Sequence, residues 1–182
     1  MTKSQNENTV SELFAMDENG YGENYKQHLL EQYKLYVEMA DKISERRAKA
    51  NTFFLSVNTL LVTAIGVLSK LQSGFEILNL WWVLVTSFAG ILFCWAWMSI
   101  IHSYRQLNTG KFKIILLIEA KLPLAMYKTE WSYLKPKRGL SKYTQLTVVE
   151  PLVPKIFALV YFVLMIMAAI LLTSPWITMM LN

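Results

Sequence analysis

Few side chains in this sequence are equipped for chemistry, and their spacing argues against most of it. The one cysteine, Cys94, sits inside an apolar run. A thiol nucleophile needs a base within hydrogen-bond reach, and neither His28 nor His102 offers a convincing partner. One cysteine also excludes an intrachain disulfide and a cysteine-based zinc cluster from one chain. Two histidines this far apart do not match the spacing that seats a metal on one helical face. Gly20-Tyr21-Gly22 lies in polar chain with no strand before it, so it is not a phosphate-binding loop. The sequence therefore reads as non-enzymatic, with no catalytic residue, no cofactor and no metal site.

The remaining chemical signal is a row of hydroxyls. Thr52, Ser56, Thr59 and Thr63 recur at 4-3-4 spacing, Gly66 follows, and Asn51 and Asn58 lie one position to the side. On a helix these fall on or beside one face. Two readings stay open. Small hydroxyl side chains let membrane helices approach closely and hydrogen-bond across the contact. The same stripe inside an oligomer would line a wetted path. It carries no formal charge, so neither an ion-selective filter nor a proton relay is indicated.

Three apolar blocks position these residues: about 50–69, 81–101 and 156–180, none containing Asp, Glu, Lys or Arg. Each is near or above the roughly 20 residues that cross a bilayer as helix, and helix is the form that satisfies its own backbone in lipid. The whole chain is 54% hydrophobic and only 17% charged, against about 25% charged for soluble domains. The fold class is thus an all-α integral membrane protein with three transmembrane helices and a cytoplasmic helical layer. The polar first fifty residues are not a secretory signal.

Charge placement gives the orientation. Residues 1–50 hold seven Lys or Arg and nine acids, the connection 70–80 one of each, and 102–155 ten bases and three acids. Segment charges are −2, 0 and +7, which give the net +5. Basic loops stay inside. The amino terminus and the 102–155 segment are therefore expected in the cytoplasm, and the 70–80 connection and the carboxyl end outside. Trp81, Trp82 and Trp176 fall near the outer ends, where indole rings suit the interface. Arg46, Arg47, Lys49, Lys135, Lys137 and Arg138 are the expected contacts to anionic lipid heads. Nucleic acid is disfavoured, because the bases are spread without a recognisable module.

The cytoplasmic half begins with a polar stretch, 1–24, whose composition predicts disorder. Residues 25–49 contain no Gly or Pro and read as helix. Leu29, Tyr33, Tyr36, Ala40 and Ile43 form a 4-3-4-3 apolar seam. With no breaker at 45–49, the helix should run on into the first span, a rod roughly 65 Å long at 1.5 Å per residue. Its seam needs a partner: either a helix at 111–121, or the same helix of neighbouring subunits. Asn108-Thr109-Gly110 is expected to break the second helix, and Pro123 to bound the 111–121 helix. Residues 135–142 read as an exposed basic loop, and Pro151 and Pro154 suit the start of the third span.

The stretch Tyr33 to Phe54 (YKLYVEMADKISERRAKANTFF) resembles the opening of the RipA-type family of small bacterial membrane proteins, described as octameric. Three further stretches are similar to that family: Leu107–Ile114, Leu122-Pro123 with Glu130-Trp131, and Lys142–Pro154. The resemblance covers about residues 25–172. It implies a multi-pass protein of the bacterial inner membrane that assembles with itself in eight copies, and it supplies no catalytic residue. A fainter similarity is to the two-span membrane effector domains of anti-phage systems, from which the third span departs. Two functions lead, a structural or interaction assembly and a pore or membrane-permeabilising effector; a membrane enzyme comes a distant third, because the acid, base and nucleophile sets it needs are missing, and a cytoplasmic protein is a candidate partner.

Overall fold

Runs of helix-forming residues without a breaker propagate cheaply once nucleated, and this chain is built from such runs. The computed structural model describes the backbone of residues 12–71, 76–134 and 149–181, and the side chains of 12–67, 80–134 and 149–173. Among the described residues five helices follow one another: α1 Glu18–Tyr21, α2 Tyr25–Leu71, α3 Glu76–Glu119, α4 Met126–Leu134 and α5 Leu152–Leu181. No strand occurs among the described residues. Three helices, α2, α3 and α5, are long and apolar enough to cross a membrane.

The helix expected over 25–49 and the first span are one element, as the absence of a breaker requires; α2 is 47 residues long. The second span differs from expectation. Asn108-Thr109-Gly110 does not break it, and α3 continues to Glu119. A glycine inside a helix costs about 1 kcal/mol. The residues just beyond bury Ile115 and Ile118, and each such burial returns roughly 1.5 to 3 kcal/mol. Packing outweighs local preference. The helix ends four residues before Pro123, through backbone hydrogen bonds from Lys121 and Leu122 to the carbonyls of Ile118 and Glu119.

The expected disorder of 1–24 is amended for its described part. Asp17 caps α1, its carboxylate accepting from the Gly20 amide at 2.8 Å, and Gly22 closes it with φ +95°. Leu13 and Phe14 pack against buried apolar side chains. Residues 1–11, the 72–75 connection and the basic loop 135–142 lie outside the described residues.

The chain divides into two units. The first comprises Met1–Ser44 and Gln106–Tyr143. Its core is Tyr33 and Ala40 of α2 against Ile115 and Ile118 of α3, with Leu29, Tyr36 and Phe112 packed around them. The second comprises Glu45–Arg105 and Thr144–Asn182, which include the three apolar blocks. Its packing is aromatic. Phe54 stacks on Trp97 with ring centroids 5.7 Å apart, and Phe157 closes on Trp97 from α5. Among the described side chains of α5, the buried positions are Pro154, Tyr161 and Ala168. That is a seven-residue repeat and hence a narrow seam. Leu159, Phe162, Val163 and Ile166 are exposed, while Phe157, Ala158 and Leu164 pack beside the seam.

Candidate functional site

The hydroxyl stripe of α2 points away from the chain's own helices. Thr52, Ser56, Thr59 and Thr63 are all exposed. Thr52 donates to the Ala48 carbonyl at 3.1 Å, Thr59 to Leu55 at 2.8 Å and Thr63 to Thr59 at 2.8 Å. Such bonds back to the preceding turn satisfy a hydroxyl in lipid without a second helix. Among the described residues, the hydrogen bonds of Thr52, Thr59 and Thr63 all run back to α2 itself. The exposed stripe is open to a neighbouring copy, to water or to lipid.

The polar groups that do pack inward are the asparagines beside the stripe. Asn58 is 0% exposed. Its Nδ2 donates to the Phe54 carbonyl at 2.8 Å, and its Oδ1 accepts from the Cys94 thiol at 3.4 Å. Its backbone carbonyl accepts from the Tyr161 hydroxyl at 3.2 Å. One residue of α2 thus meets polar groups of both α3 and α5. One turn lower in number, Asn51 Oδ1 accepts from Trp97 Nε1 at 2.9 Å. Ser87 Oγ is buried beside this layer with no hydrogen-bond partner among the described residues. An amide left unpaired in an apolar medium costs several kcal/mol, so these bonds fix which faces of the three helices meet. The Cys94 thiol is a hydrogen-bond donor in this layer.

Outside the spans, the structure brings the 29–43 seam together. Tyr33, Ala40 and Ile43 are buried, and Leu29 and Tyr36 are half-buried. Of the two partners open to the seam, the chain's own α3 takes it. The Lys111 ammonium lies 4.3 Å from the Tyr36 ring centroid, a cation over an aromatic face. At the end of α3, Glu119 is buried. Its two carboxylate oxygens accept from the amides of Tyr127 at 2.8 Å and Lys128 at 3.1 Å. A negative charge held by the free amides of a helix start is favourable twice over, by hydrogen bonding and by the helix dipole. Burial, and next the nearby Glu119 carboxylate, push the Tyr33 hydroxyl above its ordinary pKa.

Arg47 departs from the role expected of it. It is not open to lipid heads: it meets Glu150 at 3.5 Å, with side chains 15% and 14% exposed. A buried arginine left without a carboxylate would be costly, and Glu150 lies just before α5. Arg46 and Lys49 are exposed, as head-group contacts require. Lys135, Lys137 and Arg138 lie outside the described residues. His28 accepts or donates one hydrogen bond with the Tyr21 hydroxyl at 2.9 Å, and His102 lies well apart from it in sequence.

Asn58, Glu119 and the Arg47–Glu150 pair escape a reading of the sequence. Nothing in the spacing tells Asn58 from the exposed hydroxyls beside it. The partners of Glu119 and Arg47 are set by the fold.

A family model described as the octameric membrane protein family (8xMP) matches residues 30–171. No curated protein and no solved structure matches the chain.

Proposed function

This chain belongs to the octameric membrane protein family, and from that premise we propose that it builds a non-enzymatic assembly of eight copies in the bacterial inner membrane. The assembly works through its structure and its contacts. The observation that carries the reading is the family match itself, which takes in α3 whole and most of α2 and α5. Its chemistry agrees. Three polar groups are engaged in holding the fold: Cys94 donates to Asn58, Glu119 caps α4, and Glu150 pairs with Arg47.

Charge supports an orientation with the amino terminus and the 102–155 segment in the cytoplasm and the carboxyl end outside. The basic segment then lies against anionic lipid heads, each Lys or Arg near the surface contributing about 1 kcal/mol. It also offers a surface to a cytoplasmic protein partner. The test of the assembly is the native mass of the detergent- or nanodisc-solubilised protein. Eight copies are expected. A monomer or dimer at every concentration tried would overturn the reading.

One observation favours a second reading, a pore or membrane-permeabilising effector. The stripe Thr52, Ser56, Thr59 and Thr63 is exposed on each chain, so a ring of chains could turn it inward as a wetted wall.

A further inference from the structure

We propose that residues 12–21 form a detachable arm, and that the arm of one copy seats on the α2–α3 tip of the next, with Phe14 of one chain under Lys121 of its neighbour. The partner is a second copy of this chain, so the inference rests on the eight-copy reading and names a contact that links the copies.

Within one chain the arm is a guest on a finished core. The buried cluster of the first unit, Tyr33, Ala40, Ile115 and Ile118, comes from α2 and α3 alone. No residue of 12–24 is buried. Leu13 and Phe14 lie half-buried against that cluster, and Met16, two positions on, is 61% exposed. The other holds are weak. The Lys121 ammonium stands 5.5 Å from the Phe14 ring centroid. Glu18 meets Lys26 at 2.8 Å and Tyr21 meets His28 at 2.9 Å, both on exposed surface. Exposed contacts of these kinds add little to stability. The join to α2 runs through Gly22, with φ +95°, and nothing lies within 4 Å of where a side chain there would begin. A glycine in open space takes either sign of φ freely, so the join turns at low cost.

Membership of an octameric family calls for a contact between copies. Arm and seat already fit each other, and exchange between identical chains remakes every contact, which makes swapping a low-cost route between subunits. They are also two different patches on one chain, the head-to-tail arrangement that closes cyclic rings. The reach suffices. Leu13 stands twelve residues before Tyr25, and twelve extended residues span up to about 40 Å, several times the roughly 8–10 Å between packed helices. A neighbour fixed in the same ring keeps its seat at high effective concentration, so the contact needs no extra affinity. Charge directs the pairing. Residues 12–18 carry Glu12, Asp17 and Glu18 and no base. Arms therefore repel one another, while the seat presents Lys121, and opposite charge selects the partner.

The test uses full-length protein in membranes, with Cys94→Ser as background after its eight-copy mass has been checked. Each chain carries Ala15→Cys and Ala120→Cys, two small exposed positions beside Phe14 and Lys121, and is treated with a flexible bismaleimide. Exchange joins the arm of one chain to the tip of the next, so a ladder of linked chains up to the full ring is expected on a denaturing gel. Phe14→Asp in the same background should weaken the ladder about tenfold, because a carboxylate set on an apolar seat goes unpaired. Neither cysteine alone should link chains; strong pairs from one alone would show two-fold pairing and overturn the proposal. A ladder that Phe14→Asp leaves undiminished would reduce the linkage to chance collision and overturn it too. Internally looped single chains with the eight-copy mass intact would overturn the exchange while leaving the assembly standing. Loss of the eight-copy mass in unmodified protein would overturn both.

Discussion

Tyr161 occupies the space that Gly90 leaves: a Cβ at position 90 would lie 2.6 Å from the tyrosine ring. The ring is held in place from its far end, where its hydroxyl donates to the Asn58 carbonyl. It cannot retreat without losing a buried hydrogen bond. Gly90→Ala should therefore destabilise the membrane unit by about 1 to 3 kcal/mol, the usual cost of overpacking. A lowered thermal midpoint in detergent would report it. Gly90→Ala combined with Tyr161→Leu should recover part of the loss, because the clash is with the ring.

Asn58 separates two kinds of loss. Asn58→Leu is close in size and removes the Cys94 contact, so it should cost on the order of 1 kcal/mol, in line with single interhelical hydrogen bonds. Asn58→Asp places a carboxylate in the same buried position, where charge is far costlier. The aspartate variant should accumulate in membranes at a small fraction of the leucine variant's level on a quantitative blot. Equal levels would mean that position 58 is wetted.

The seam makes a prediction about where damage appears. Ala40 is buried against α3, so Ala40→Asp forces an unpaired carboxylate into the first unit, at a cost of several kcal/mol. Limited proteolysis should then cut within 12–44 or 106–134 at least tenfold faster than in the parent protein. Cleavage at the parent rate would show that the seam is not closed within the chain.

The first unit should also weaken in alkali. Burial raises the hydroxyl pKa of Tyr33 above its ordinary 10.0, with the Glu119 carboxylate adding to it. Tyr127 is raised likewise, by burial first and then by Asp41, Glu130 and Glu119. A raised tyrosine pKa means that the folded state holds the proton when the unfolded state has released it. This stabilisation is fully present below pH 10, and is lost as pH rises from there through the folded value. The alkaline limb of a stability-versus-pH curve should therefore fall above about pH 10, and flatten in the double variant Tyr33→Phe, Tyr127→Phe.

For the pore reading the decisive side chain is Thr59. In proteoliposomes holding correctly oriented oligomers, Thr59→Phe should change solute or ion flux severalfold, since a ring would replace a hydroxyl on a wetted wall. Absence of flux from the parent oligomer under every activating condition tried would count against the pore and leave the stripe to subunit packing.

The sequence displayed some of this architecture and concealed the rest for physical reasons. The three spans are legible because apolar runs without charge have few alternatives in lipid. The continuity of α2 follows from the absence of a breaker near residue 45, and the seam from its spacing. Asn108-Thr109-Gly110 misleads because local propensity is a weak term, reversed when Ile115 and Ile118 find a core. The hydroxyl stripe misleads differently. Its spacing locates a face, but which face turns inward depends on Cys94 and Tyr161, which lie far along the chain. Arg47 looked like any juxtamembrane base until Glu150 was brought beside it.

One carboxylate sets the length of a connection. Surface connections ordinarily absorb extra residues at little expense. The stretch 120–125 is tethered at both ends by Glu119, which terminates α3 and also grips the first amides of α4. Adding or removing a residue there would rotate or withdraw those amides from an acceptor that cannot follow. The turn behaves as a ruler, and an insertion that an ordinary surface connection would tolerate becomes a lesion here.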